Sequence, residues 1–148
     1  MKTFLFVSPD GSEFIGSKGN DIRNIIYNSL SDTEIYEEYW FSGTNTAELI
    51  CYDNKEMYSL LLISVGDYGI FLHFSDEKEN KVSLHDAGKM NEIYENIESL
   101  GVAVGLYIPA ESAWTAIDEF LETGSATDKI NWISVHDMDK YYPDAEYI

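Results

Sequence analysis

The sequence is poor in cysteine, in basic residues and in long apolar runs. Cys51 is the only cysteine, which excludes an internal disulfide and a thiolate zinc cluster and favours a reducing compartment. No segment has the roughly 18 consecutive apolar residues of a membrane-spanning helix, and Met1 to Ser8 is too short for a signal peptide. We therefore expect a soluble, unexported, cytoplasmic protein.

Basic residues are so few that the net charge is strongly negative. There are 9 Lys and Arg against 27 Asp and Glu, a formal charge of −18 with a pI near 4.2. Arg23 is the only arginine and the lysines form no basic stripe, so nucleic acid and anionic membranes are poor partners. A basic protein is a better partner, because an acidic field steers a cationic surface into encounter. Alternatively, the carboxylates only keep the protein soluble.

Motifs for catalysis and metal binding are missing from the sequence. The three histidines lack the close spacing of a metal site, and there is no glycine-rich phosphate loop, Gly-x-Ser-x-Gly elbow or calcium loop. We therefore predict no catalytic residue, no metal and no cofactor. The alternative of a small enzyme needs a carboxylate pair or Cys51 with a histidine. Cys51 lies in an apolar run, which is typical of a small buried hydrophobe with a raised pKa.

Composition indicates a single self-sufficient domain. The hydrophobic fraction is 45% and the aromatic fraction 14%, well above the values of disordered chains. At 148 residues, with no repeat and no Pro-rich linker, the chain is long enough for one core. We expect one domain over residues 1–148, with residues 136–148 as an acidic C-terminal tail.

The first half of the sequence predicts strands and one helix. Thr3 to Val7 is a β-prone run that ends in the turn Ser8 to Gly11, and Asn20 is a suitable N-cap for a helix over Asp21 to Leu30. Gly66-Asp67 suits the centre of a type II′ turn. Further runs rich in aromatic and branched residues predict strands over Tyr39 to Ser42, Ala47 to Tyr52, Tyr58 to Val65 and Tyr68 to Phe74.

The second half adds two helices and two strands. Apolar spacing predicts a helix over Met90 to Leu100, followed by a strand over Val102 to Ile108. A helix begins after Pro109 and is closed by Gly124, and a last strand covers Ile130 to Val135. Short connections between the central strands predict an α+β fold: a mostly antiparallel sheet of about six to seven strands with two to three helices packed on a face.

One segment combines acidic and aromatic residues. Its acids are Asp32, Glu34, Glu37, Glu38, Glu48, Asp53 and Glu56, opposed only by Lys55, and its aromatics are Tyr36, Tyr39, Trp40, Tyr52 and Tyr58. Tyrosine and tryptophan supply rigid contact area in protein interfaces, and carboxylates at the rim set orientation and association rate. Alternatively, these aromatics pack in the core and the acids are their solvated face. Trp114 and Trp132 are expected in the core or at its edge.

The C-terminal part of the sequence resembles a known family. The stretch Tyr107 to Trp114, the segment Phe120 to Gly124 and the segment Ile130 to Trp132 carry the likeness, together with the hairpin Leu62 to Ile70. They resemble a deaminase-toxin-associated immunity family of bacterial polymorphic toxin systems. The resemblance implies an α+β fold and, as partner, the C-terminal domain of a secreted toxin such as a deaminase or nuclease that acts on nucleic acid.

Charge, the acidic-aromatic segment and the resemblance lead to one functional hypothesis. The chain is expected to be an immunity protein, not an enzyme, that binds a basic toxin domain and blocks its active site. The predicted toxin contacts are Glu37, Glu38, Tyr39, Asp53, Asp67 and Tyr68. The alternatives are the small enzyme described above and a general acidic adaptor that binds several basic proteins weakly.

Overall fold

The computed structural model describes residues 2–16, 19–31, 46–66, 68–95 and 101–142 of the chain. In chain order the elements are β1 (Lys2–Val7), β2 (Glu13–Gly16), α1 (Gly19–Ser31), β3 (Thr46–Asp53), β4 (Glu56–Gly66), β5 (Gly69–Ser75), β6 (Asn80–Ser83), β7 (Ile93–Glu95), β8 (Gly101–Ala103), α2 (Ala110–Thr123), β9 (Trp132–Ser134) and α3 (Val135–Tyr141). Short 3₁₀ helices cover Ala87–Lys89 and Val104–Leu106. The strand predicted over residues 39–42 lies outside the described residues.

The main element is an antiparallel sheet of seven strands. Their order is β2-β1-β3-β4-β5-β6-β9, and β7 pairs separately with β8. Short turns join β3, β4, β5 and β6 into an antiparallel meander, of which β6 was not predicted, and β9 returns to pair with β6. The prediction of an α+β fold with a mostly antiparallel sheet is confirmed.

The first core lies between one face of this sheet and the helices α1 and α2. Phe6, Leu49, Leu61 and Phe74 stand opposite one another across β1, β3, β4 and β5, and all four are buried. Phe120 of α2 meets Phe74 edge to face, with ring centroids 6.2 Å apart. Each fully buried side chain of this size contributes about 1.5–3 kcal/mol relative to exposure. This row therefore fixes which face of each strand points toward the helices.

Helix α2 begins and ends where the sequence predicts. Pro109 precedes it, and Gly124 ends it in the left-handed conformation (φ +71°), with its N–H donating to the Phe120 carbonyl at 2.7 Å. Helix α1 begins at Gly19, two residues before the predicted start at Asp21, and so includes Asn20, the predicted N-cap. The Arg23 Nε donates to Asp118 at 2.6 Å and links the two helices.

A second core covers the opposite face of the sheet at the β5–β6–β9 end. Phe71 and Val82 point into it and pack with Met90, Leu106 and Met138. Met138 belongs to α3, so the first part of the predicted acidic tail is helical. The Ser134 hydroxyl begins α3 by accepting the Asp137 N–H at 3.1 Å. Consequently β5 contributes alternate side chains to both cores.

The helix predicted over Met90 to Leu100 is wrong. Ile93–Glu95 is strand β7, and residues 96–100 lie outside the described part of the chain. The Asp86 carboxylate accepts the Gly88 N–H at 2.9 Å and closes a 3₁₀ turn, after which β7 pairs with β8. The spacing of Met90 and Ile93 therefore arises from a turn and a strand, because tertiary pairing overrides a weak local helical pattern. Likewise, only the start of the strand predicted over Val102 to Ile108 is a strand.

The turn between β4 and β5 differs from the type II′ prediction. Gly66 pairs directly with Gly69, so the central residues are 67 and 68 rather than Gly66-Asp67. The positive φ lies at Gly69 (+126°) and not at Gly66. The hairpin is therefore present, with its turn shifted by one residue.

Candidate protein-binding site

An acidic pocket lies at one end of the main sheet. It encloses about 570 Å³ between the β3–β4 turn and the β5–β6 turn. Its lining residues are Asp53, Asn54, Glu56, Met57, Tyr58, Asp76, Glu77 and Lys78. The lining thus contains four carboxylates and a single ammonium group, so the pocket repeats at one place the charge imbalance of the whole chain.

Antiparallel topology brings these two turns together. Successive strands of a meander reverse direction, so the β3–β4 and β5–β6 turns lie at the same end of the sheet. Asn54 and Lys55 both have positive φ (52° and 72°), the conformation of a tight two-residue hairpin. Asp76 holds the other turn, because its carboxylate accepts the N–H groups of Lys78 (2.8 Å) and Glu79 (2.7 Å). Both walls of the pocket are therefore held by defined backbone turns.

Two apolar side chains are exposed in this acidic surrounding. Met57 is 62% exposed and Tyr58 is 40% exposed. The Tyr58 ring is held from one side, because the Lys2 ammonium lies 4.6 Å from its centroid and donates to the Thr123 carbonyl at 2.7 Å. The immobilised tyrosine provides contact area at a small loss of conformational entropy on binding, and the flexible methionine can adapt to an irregular apolar surface.

A second pocket, of about 560 Å³, provides a comparison. It lies where β6 meets the start of α3, and its charged residues are Lys78, Glu79, Lys81 and Asp139. The Lys81 ammonium pairs with the Glu79 carboxylate at 3.0 Å. Acids and bases are thus balanced in the second pocket, whereas acids predominate in the first. The first pocket is for this reason the candidate site for a cationic partner.

The structure separates the predicted contact residues that it describes. Asp53 lines the acidic pocket, whereas Tyr68 lies in the β4–β5 turn, 56% exposed, with its ring 6.5 Å from that of Tyr107. Strand β4 has 11 residues between these turns, roughly 35 Å of extended chain. Asp53 and Tyr68 therefore do not belong to one compact site. The other predicted contacts, Glu37, Glu38, Tyr39 and Asp67, lie outside the described residues.

Several residues that line the acidic pocket were not among the predicted toxin contacts. Met57, Asp76 and Glu77 were not predicted to bind the toxin, although they line the same pocket as Asp53. The predicted strands could have brought some of them together. In an antiparallel meander β3 and β5 run in the same direction, so Asp53 and Asp76, which follow these strands, lie at the same end of the sheet.

Cys51 is buried and is not placed as a nucleophile. It lies on the helix-facing side of β3, opposite Ser59, and burial raises the pKa of its thiol. A neutral, inaccessible thiol reacts slowly. Among the residues that the structure describes, no group of three or more His, Cys, Asp or Glu side chains is placed to hold a metal ion.

Comparison with known proteins adds no assignment. The chain matches no protein-family model, and no curated protein matches it. Within the described ranges, no helix is both long enough and apolar enough to cross a membrane. The resemblance to an immunity family remains a sequence-based prediction.

Proposed function

We propose that this protein binds a basic polypeptide through the acidic pocket, and that it does so as an immunity protein that neutralises a toxin domain. The observation that carries the proposal is the pocket itself, with four carboxylates, one ammonium and the exposed side chains of Met57 and Tyr58. The family resemblance supports a toxin domain as this partner.

Electrostatics favours such a complex. A cleft lined by one sign of charge focuses the field and raises the association rate of an oppositely charged partner. A toxin that acts on nucleic acid needs a cationic surface to hold phosphates, and an acidic protein is complementary to that surface. Binding there occludes the toxin's active site without any chemistry by the inhibitor. Tyrosine and methionine at the centre of the contact then slow dissociation.

The test begins with the polypeptide that co-purifies with the tagged protein from its native cell. We expect a basic protein whose expression alone arrests growth and whose toxicity disappears when the present protein is co-expressed. An adaptor would instead recover several basic proteins, none of them in stoichiometric amount. Absence of a toxic basic partner would contradict the proposal.

Charge reversal then tests the pocket. The pocket variant is Glu56→Lys/Glu77→Lys. Asp76 is left unchanged because its carboxylate accepts the N–H groups that hold the β5–β6 turn. The control, Glu92→Lys/Glu111→Lys, makes the same change in net charge at exposed positions that do not line the pocket. We expect the pocket variant to slow association with the recovered partner about tenfold at low salt, and the control to slow it much less. If the two variants slow association equally, the acidic pocket is not the surface that binds the partner.

A further inference from the structure

A row of apolar residues crosses the face of the sheet opposite α1 and α2. Ile15, Leu5, Ile50 and Leu60 stand directly opposite one another across β2, β1, β3 and β4. We call them the apolar row. Ile15 is 79% exposed, Leu5 and Leu60 are part-exposed, and Ile50 is buried. Because side chains alternate along each strand, this row and the first core lie on opposite faces.

The second core begins farther along the same face. Its residues from the main sheet are Phe71 of β5, Val82 of β6 and Ile133 of β9, at the other side of the sheet from β2. The apolar row thus extends away from that core toward the β2 edge. Its most exposed member, Ile15, lies on the edge strand itself.

Carboxylates border the apolar row. Glu13 and Glu48 each stand opposite Val7, two residues from Leu5, so they share its face, and both are exposed. On the other side of the row, Tyr52 pairs with Met57, which lines the acidic pocket. The row therefore runs between two exposed acids and the pocket.

Basic residues are nearly missing from this part of the sheet. The structure describes every residue of β1 to β4, and Lys2 is the only lysine or arginine among them. Its ammonium lies over the Tyr58 ring and bonds to the Thr123 carbonyl of α2, on the helix side. The carboxylates that border the row thus have no basic side chain from these four strands on their own face.

We infer that the basic partner carries apolar side chains between its cations, and that these side chains pack on the apolar row while the cations face Glu13, Glu48 and the acidic pocket. This inference rests on the proposed function and deepens it. A second copy of this chain fits poorly, because two faces of the same negative charge repel each other. A purely hydrophilic polycation also fits poorly, since it would leave Ile15 and Leu5 in contact with water.

The size of the surface supports a joint contact by row and pocket. Four strands spaced about 4.8 Å apart, each contributing a few residues, give a patch on the order of 400 Å², whereas a stable interface buries about 800 Å² per partner. The row alone is too small. Met57, which lines the pocket, pairs with Tyr52 on the strand that carries Ile50, so a partner that contacts both pocket and row buries more area than the row alone provides.

Synthetic peptides test this inference on the full-length protein. The probes are a peptide of alternating lysine and leucine and a peptide of equal length with alternating lysine and serine. We expect the lysine–leucine peptide to bind more tightly and to shift the methyl NMR signals of Leu5, Ile15 and Leu60. Equal affinity of the two peptides, or unchanged methyl signals, would overturn the inference, as would sedimentation of the free protein as a dimer that buries the row.

A single substitution provides the matched comparison. Ile15→Thr removes exposed apolar surface and keeps a β-branched residue on its strand, and Ile93→Thr does the same on β7, where Ile93 is 43% exposed. We expect Ile15→Thr to weaken lysine–leucine peptide binding about threefold to tenfold and Ile93→Thr to leave it unchanged. If Ile15→Thr has no effect while Glu56→Lys/Glu77→Lys slows association with the natural partner, the inference fails and the proposed function stands.

Discussion

Replacing Gly69 by alanine tests how tightly the β4–β5 hairpin is joined to the segment before α2. Gly69 has a φ of +126°, and a Cβ there would overlap the carbonyl oxygen of Ile108. That carbonyl accepts the Ile70 N–H at 3.0 Å, and the Ile108 N–H donates back to Ile70 at 2.9 Å. Alanine therefore both strains the backbone and pushes apart a pair of hydrogen-bonded segments.

The expected loss of stability follows from these contacts. A positive φ destabilises alanine by about 1–2 kcal/mol. Crowding of a packed site adds about 1–3 kcal/mol, and each weakened hydrogen bond about 1 kcal/mol. We expect Gly69→Ala to lower the free energy of unfolding by about 4–7 kcal/mol, a large part of the roughly 5–15 kcal/mol of a typical domain.

Gly11→Ala is the control for the backbone contribution. Gly11 also has a positive φ (+90°), but a Cβ there would meet no atom within 4 Å. We expect a loss of only about 1–2 kcal/mol. Urea unfolding followed by tryptophan fluorescence measures both, because Trp114 and Trp132 pack against the first core. If Gly69→Ala destabilises no more than Gly11→Ala, then the contact with Ile108 does not hold the hairpin in place.

Two further predictions concern buried polar groups. The Ser83 hydroxyl donates to the Leu106 carbonyl at 2.7 Å and accepts the Leu72 N–H at 3.0 Å. Ser83→Ala leaves these two buried backbone groups without this partner, and we expect it to lower the free energy of unfolding in urea by about 2–3 kcal/mol. A loss smaller than that of Thr115→Ala, which removes an exposed hydrogen bond, would contradict this expectation. Burial raises the pKa of the Cys51 thiol, so its contribution to stability is complete below the unfolded pKa and is lost as pH rises from about 8.5 toward the folded pKa. Over that pH range we expect the urea midpoint of the natural protein to fall more steeply than that of Cys51→Ala. If the two midpoints fall in parallel as pH rises, this prediction is refuted.

Helix α2 and strands β3 to β5 could be predicted from the sequence, because each has a clear periodic or compositional pattern. Helix α2 shows this best, because Pro109 and Gly124 mark its ends and its apolar stripe has a clear helical period. Strands β3 to β5 were likewise predicted from runs of branched and aromatic residues. The region around Ile93 was not, since three residues of strand and one 3₁₀ turn imitate helical spacing and only pairing with β8 decides between them.

The candidate site was predicted only in part, for a topological reason. Asp53 was named from its acidic and aromatic neighbours in the sequence, but its neighbours in space include Asp76 and Glu77, more than 20 residues away. Tyr68 was named with Asp53 in one set of predicted contacts. The structure places them at opposite ends of β4, a relation that residue types alone do not contain.

The position of α2 after the strands it covers has a consequence for synthesis on the ribosome. The sheet face that carries Phe74 is complete up to β5 when Ser75 has been added, but its cover Phe120 is still to come. At about 5–20 residues per second, residues 76–123 take about 2–10 s to be made. During that interval the nascent chain exposes an apolar surface that a chaperone can bind. Slower translation lengthens the time during which the nascent chain can aggregate.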